Sequence, residues 1–177
     1  MPHMKQIFIG LDIAKVTGWA WTIYDVKTGE TTVTACGTRT INCQRDLVEL
    51  LGFIVDTAPL YIGSPNPPIV VICPLPTSFR YNLETQFKML GVIELWAETR
   101  NIYNKATAVV AKVDNHMRKE VFGTIKYPEG VISKKYRRAY RKKIILDRYR
   151  EHATNDDEAD ALMFIEYYKN YVNKNDT

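Results

Sequence analysis

Two aspartates, Asp157 and Asp160, stand near the start of the last predicted helix, beside the residues that form its apolar stripe. At about 100° per residue, Asp157 lies on the midline of that stripe and Asp160 lies about 60° from it. Ionised carboxylates that face a core carry a large desolvation cost unless a cation or strong hydrogen-bond donors meet them, so the pair favours a divalent metal ion. The alternative is an ordinary acidic helix start, which is our interpretation of Asp156 and Glu158.

A third aspartate, Asp12, lies near the end of the first predicted strand, which is apolar on both faces. Gly10 precedes it by two residues on the same face and leaves room for another group to approach the strand closely. If the last helix packs over this strand, three carboxylates from distant parts of the chain converge. Three such groups can hold one or two Mg²⁺ ions, and a pair of ions about 3.5–4 Å apart stabilises the attacking water and the departing 3′-oxygen in phosphodiester cleavage.

A basic block from Met117 to Arg150 carries twelve Lys and Arg residues against three acidic residues, a net charge of +9 in a chain whose total is +4. Such a block is typical of proteins with a phosphate-rich partner, although a solvated helix face gives the same pattern. Tyrosines interleave with the cations, which favours nucleic acid over a membrane surface. The residues that we expect to bind DNA are Lys105, Arg118, Lys119, Lys134, Lys135, Arg137, Arg138, Arg141 and Lys142.

The apolar periodicity predicts an α/β fold, a mixed five-stranded sheet flanked by helices, with hairpins first and crossovers later. The predicted strands are Gln6 to Ile13, Trp19 to Val26, Thr31 to Thr38, Ile69 to Ile72 and Asn101 to Asn104. The predicted helices are Cys43 to Thr57, Leu83 to Arg100, Ala106 to Val113, Lys134 to His152 and a last helix that begins near Asn155. The second of these helices is apolar on more than one face, so it is either buried on both sides or in contact with a partner chain.

Length and composition set further bounds on the class of protein. A chain of 177 residues suits a single domain over residues 1–177, with residues 1–4 interpreted as a cloning remnant and 172–177 as a frayed tail. Three cysteines, without metal-ligand spacing, argue against a disulfide framework and a zinc site. Apolar runs are far shorter than the roughly 18 residues of a membrane span, so we expect a cytoplasmic protein without a membrane partner.

Four stretches, in matching order over residues 5–168, together resemble the RuvC-type Holliday junction resolvases of the RNase H-like superfamily. They are Ile9-Gly10-Leu11-Asp12, Thr17-Gly18-Trp19-Ala20, Val70-Val71-Ile72 and Asp157-Glu158-Ala159-Asp160-Ala161-Leu162. The resemblance implies one RNase H-like nuclease domain that forms a homodimer, binds a four-way DNA junction and makes paired nicks with Mg²⁺ or Mn²⁺, without a small organic cofactor. Asp12, Asp157 and Asp160 would be the metal ligands, for two ions.

The resemblance also assigns roles to the segment that follows the fourth predicted strand. The loop with Phe79, Arg80 and Tyr81 would contact DNA bases at the crossover, and the helix after Asn82 would contribute to the dimer interface.

One position departs from the pattern of these nucleases. They place a glutamate directly after the fourth predicted strand, where this chain has Cys73, and a neutral thiol is a poor ligand for Mg²⁺. The explanations are an engineered substitution, a natural form with altered metal use, recruitment of a nearby acid such as Glu84, or an inert buried thiol. Cys73→Glu is therefore expected to raise Mg²⁺-dependent junction nicking, and no increase would count against the alignment at this position.

Three other functions fit parts of the pattern. A branched-DNA binding module would keep the fold and lose cleavage through Cys73. Another RNase H-like nuclease would act on RNA–DNA hybrid or on flaps. An actin-like ATPase is disfavoured, because glycine-rich phosphate loops are lacking beyond the first hairpin.

Overall fold

A computed structural model describes residues 5–57, 62, 66–76, 83–104, 107–114, 116–130 and 133–172. These residues form one mixed sheet with helices on both faces. The strands are β1 Lys5–Asp12, β2 Val16–Asp25, β3 Thr31–Thr40, β4 Ile69–Pro74 and β5 Ala108–Val113. Their order in the sheet is β3-β2-β1-β4-β5. The first three strands are antiparallel, whereas β4 and β5 extend the sheet in parallel to β1. The predicted mixed five-stranded sheet is confirmed.

Two layers of helices cover the sheet, and the alternation of side chains along β1 separates them. The helices are α1 Gln44–Thr57, α2 Leu83–Asn104, α3 Met117–Phe122, α4 Lys134–Tyr149 and α5 Asp156–Tyr167, the last continuing into a π-helical turn, Tyr168–Val172. Ile7, Ile9 and Leu11 pack with α1 and α2. Phe8, on the other face, packs with α3, α4 and α5. Within the described ranges, no helix has the length and apolar character needed to cross a membrane.

The segment between α2 and the basic helix differs from the sequence prediction. Asn101 to Asn104, predicted as a strand, is the last turn of α2, and the predicted helix Ala106 to Val113 is instead β5. β5 pairs with β4 along its whole length, so its valines complete the sheet. Asn101 joins the two elements, because its amide accepts from the Ala108 N–H at 2.6 Å and donates to the Ala108 carbonyl at 2.9 Å. Helix α3 was not predicted, and α4 ends at Tyr149 rather than His152.

Two glycines allow α5 to lie directly on the sheet. A Cβ at Gly10 would lie 2.9 Å from the Ala161 carbonyl carbon and closer still to its oxygen. A Cβ at Gly18 would lie 2.8 Å from the Asp157 Cβ. The two residues from Gly10 to Asp12, the partner of Gly18, span about 6.7 Å along the strand. The four residues from Asp157 to Ala161 span about 6 Å along α5, so the two contacts have matching spacing. The group that approaches Gly10 is therefore the backbone of the last helix.

The close approach at Gly18 predicts a large effect of one methyl group. Gly18→Ala should force α5 away from β2 and lower the free energy of unfolding by about 2–3 kcal/mol. Gly52→Ala is the matched control, because a Cβ there meets nothing within 4 Å and alanine is the better helix former by about 0.5–1 kcal/mol. Urea unfolding of both variants measures the difference. Equal stability of the two would contradict the packing described.

Candidate active site

The start of α5 places Asp157 beside Asp12. Asp12 is the last residue of β1 and is paired with Gly18 of β2, the glycine against which Asp157 packs. Thr17 fixes the turn between these strands, since its hydroxyl donates to the Ala14 carbonyl at 2.7 Å. Asp12 and Asp157 are 145 residues apart in the chain. The packing of Asp157 on Gly18 and the turn held by Thr17 bring them to the same end of the sheet.

Asp160, one turn further along α5, is buried, with 8% of the residue exposed. Its Oδ2 accepts a hydrogen bond from Arg118 Nη2 of α3 at 3.1 Å. Its Oδ1 is buried and lacks a hydrogen-bond partner within the described residues. Burial raises the pKa of the Asp160 carboxyl, while the charges of Arg118 and Lys142 oppose the rise and that of Asp157 adds to it. The ionised carboxylate is thus under-compensated and can accept a further cation or donor.

All three predicted aspartates line one cleft of about 570 Å³. Five predicted DNA-binding cations line it with them: Arg118, Lys134, Arg138, Arg141 and Lys142. The remaining wall is formed by Ala14, Gln86 and Ile145. Carboxylates and cations that line one cleft form an arrangement that can hold a phosphodiester beside an acidic centre.

The donor set fits a hard divalent cation in its chemistry. The three side chains offer carboxylate oxygens, which Mg²⁺ and Mn²⁺ prefer, and Asp160 Oδ1 is a buried acceptor without a hydrogen bond from the described part of the chain. Among the described residues, however, no three His, Cys, Asp or Glu side chains lie close enough together to hold a metal ion. The aspartates therefore share a cleft without forming a closed ligand set.

The other acids at the start of α5 stabilise the helix, as predicted. The Asn155 side chain caps the helix by accepting from the Glu158 N–H at 3.0 Å. Glu158 in turn accepts from the Thr154 N–H at 2.7 Å. Asp156 forms an ion pair with Lys142 of α4. These contacts fix the first turn of α5, and so fix the directions of Asp157 and Asp160.

Cys73 is not brought to the aspartates. It is fully buried in the core cluster that β4 forms with α1 and α2, on the opposite face of the sheet from α5. Val71, two residues earlier, belongs to the same cluster, while Val70 and Ile72 face α5. Burial raises the pKa of the Cys73 thiol to about 12, so the thiol is neutral. Of the explanations considered, this position favours the inert buried thiol. Glu84 is exposed and paired with Lys88, so it does not replace the missing acid.

The other predicted DNA-binding residues lie around the cleft or outside the described residues. Lys135 lines a neighbouring groove on α4. Arg137 lies over the Tyr127 ring at 5.3 Å, beside a third groove. Lys119 is exposed on α3. Phe79, Arg80, Tyr81 and Lys105 fall outside the described residues.

Gln86 is a cleft residue that the sequence reasoning missed. It lies in the first turns of α2 and carries a neutral amide that can accept or donate a hydrogen bond. Its position shortly after the predicted base-contacting loop was the available signal. That signal was weak, because α2 packs mainly on the other face of the sheet.

The fold of this chain is similar to that of several solved resolvase and nuclease structures. Neither a family model nor a curated protein sequence matches the chain. Among solved structures, the Fowlpox virus resolvase in complex with Holliday junction DNA superimposes with a TM-score of 0.54 and 14% identity, covering 94% of this chain and 99% of that chain. For T. thermophilus RuvC with a Holliday junction substrate the TM-score is 0.51 at 14% identity, over 92% and 94% of the chains.

A third similar structure is the human cytomegalovirus terminase nuclease domain, soaked with Mn, with a TM-score of 0.51 and 10% identity over 96% of this chain and 85% of that chain. At these identities the comparisons establish the fold. The resemblance to RuvC-type resolvases predicted from the sequence is confirmed at that level.

The position of Cys73 revises the expectation for Cys73→Glu. A carboxyl group introduced there enters an apolar core instead of the cleft, so the variant should lose at least about 2 kcal/mol of unfolding free energy and gain no junction nicking. Cys43→Glu is the control, because Cys43 is exposed. Thermal unfolding and a nicking assay with Mg²⁺ measure the two effects. Increased nicking by Cys73→Glu would show that position 73 reaches the metal ligands after all.

Proposed function

We propose that this protein is a metal-dependent, structure-selective DNA endonuclease that resolves four-way junctions by paired nicks. The observation that carries the proposal is the cleft in which Asp12, Asp157 and Asp160 lie together with five cationic side chains. The likeness of the whole fold to resolvases, two of them solved with Holliday junction DNA, supports the choice of substrate.

Asp12, Asp157 and Asp160 would hold the divalent cations, Mg²⁺ or Mn²⁺. Two bound ions would activate the attacking water and stabilise the departing 3′-oxygen. The residues of this chain would bind and orient the metal ions and the DNA. The cap formed by Asn155 and Glu158 keeps the first turn of α5 in place, and the buried Asp160 keeps its acceptor directed away from bulk water.

The cations would bind the DNA backbone and set its register without reading sequence. Lys134, Arg138, Arg141 and Lys142 belong to one helix, α4, and all line the cleft. Since Lys142 also pairs with Asp156, the middle of this helix is anchored to α5. Binding through phosphates should weaken steeply as salt rises.

The exposed face of α2 is our proposal for the homodimer interface. Met89, Leu90, Ile93 and Ala97 cover its buried face. On the other side, Phe87, Leu95 and Ile102 are 55%, 63% and 72% exposed. These three lie within about 80° of one another around the helix, with Gly91 between them. Glu84 and Glu98 lie within the same arc, so this face of α2 is mixed. Its three large exposed apolar side chains favour contact with another chain, and a second copy would place two cleavage sites on one junction.

A junction cleavage assay tests the nuclease. A synthetic four-way junction with each strand labelled in turn, incubated with Mg²⁺ or Mn²⁺, should be nicked at symmetric positions on opposed strands. Asp160→Asn should lower the rate by at least about 100-fold, because it removes an anionic ligand while keeping the shape of the side chain. Preferential cleavage of an RNA–DNA hybrid or a flap in competition would overturn the choice of substrate.

The branched-DNA binding module remains the second candidate, since the aspartates do not form a closed ligand set in the described residues and Arg118 already pairs with Asp160. A mobility-shift assay in parallel distinguishes it. Tight binding of the junction without nicks in either metal would favour the binding module over the nuclease.

The dimer interface is tested by Leu95→Glu. A charge in place of Leu95, which lies between Phe87 and Ile102 along α2, should convert the dimer into a monomer and prevent paired nicking, while single nicks persist. Val48→Glu, an equivalent change at an exposed position of α1, is the control. Analytical ultracentrifugation at micromolar concentration measures the mass. A dimer that survives Leu95→Glu would place the interface elsewhere.

A further inference from the structure

Arg118 and Asp160 form an incomplete ion pair. A guanidinium and a carboxylate can make two parallel hydrogen bonds, using two N–H groups and both oxygens. Here one bond is made, from Nη2 to Oδ2 at 3.1 Å. Arg118 Nε and Asp160 Oδ1 are both buried, and neither has a hydrogen-bond partner within the described ranges. Each partner therefore keeps a buried polar atom without a hydrogen bond from the described part of the chain.

The two partners also differ in their access to solvent. The Asp160 side chain is 11% exposed, whereas that of Arg118 is 32% exposed. Asp160 is held by α5, which is packed on two strands, while Arg118 belongs to the six-residue helix α3. A cation that competes for Asp160 would consequently displace the arginine, because the guanidinium is the more exposed partner and belongs to the shorter helix.

The surroundings of Arg118 make its release favourable when DNA is present. Lys134, Arg138, Arg141 and Lys142 line the same cleft, so the guanidinium is already among like charges. A divalent ion at Asp160 would add further repulsion, and a phosphate at the mouth of the cleft would offer two acceptor oxygens in the geometry that a guanidinium prefers.

We propose that Arg118 is a resident counter-cation of Asp160, which a divalent metal ion displaces and which then binds a phosphate of the DNA. This rests on the proposed function, because it takes Asp160 as a metal ligand and DNA as the substrate. Metal and DNA binding are then coupled through one side chain. By thermodynamic linkage, each ligand raises the affinity for the other by the same factor.

A Mn²⁺ titration of the DNA-free protein by calorimetry tests the competition. Arg118→Ala removes the competitor and should tighten Mn²⁺ binding by about tenfold, the factor expected from loss of one charged hydrogen bond. Lys119→Ala removes the same charge from the next residue of α3, which is exposed, and should change the affinity by less than about twofold. Arg118→Met, which keeps the apolar stem, is the second variant should the alanine variant unfold.

The outcomes separate this inference from the proposed function. Mn²⁺ binding that is lost in Asp160→Asn but unchanged in both Arg118 variants overturns the role of Arg118 and leaves the metal site intact. Absence of Mn²⁺ binding in the wild-type protein and in the Arg118 variants overturns both proposals. If Lys119→Ala tightened Mn²⁺ binding as much as Arg118→Ala, the effect would come from the net charge alone. That result would also overturn the role of Arg118.

A second measurement tests the phosphate contact. Ca²⁺ should strengthen binding of a four-way junction to the wild-type protein, because it releases Arg118 for a phosphate. In Arg118→Ala this strengthening should be reduced at least threefold, whereas Lys126→Ala, at an exposed lysine outside the expected DNA-binding set, should retain it. Full retention in Arg118→Ala would contradict the transfer of the guanidinium to DNA.

Discussion

The contact between the backbone of α5 and the two glycines of β1 and β2 is the constraint on which the cleft depends. The sheet positions Asp12, whereas α5, a helix that is distant in sequence, positions Asp157 and Asp160. The helix can lie in step with the strands because Gly10 and Gly18 present no side chain. Side chains at these two positions would separate the helix from the sheet and move two of the three carboxylates.

The carboxyl group of Asp160 lies where burial disfavours its ionised form. Its raised pKa means that the folded chain holds the proton more tightly than the unfolded chain does. Stability from this group is therefore present below the unfolded pKa and is lost as pH rises through the raised folded pKa. A protein selected for stability alone would place a neutral residue there. A bound cation would compensate the negative charge of Asp160.

The sequence predicts those parts of the fold that depend on local patterns. The hairpins, α1 and the start of α5 follow from alternation, helical spacing and capping residues, and each is present in the structure. The convergence of Asp12 with Asp157 and Asp160 could also be predicted, because the polar residues stand where apolar ones are expected. The segment 101–113 could not, since its valines suit either a helix side or a strand until β4 is available to pair with them.

Two other features could not be predicted from the sequence, for a different reason. They are the face of the sheet on which Cys73 lies and the position of Gln86 in the cleft. A one-residue difference in register moves a strand side chain to the opposite face of the sheet, and sequence similarity does not determine register to one residue. Gln86 reaches the cleft from the helical layer that otherwise packs against the other face. Such positions depend on how the layers meet at the end of the sheet, which no single segment encodes.

The distance in sequence between the two halves of the cleft has a consequence for biosynthesis. The meander of β1, β2 and β3 can form from the first 40 residues, whereas the helix that completes the acidic centre begins at Asp156. Pairings so remote along the chain form late, after the local ones. During translation the nascent chain therefore exposes its first aspartate without the other two. The three aspartates come together only after the start of α5 has left the ribosome.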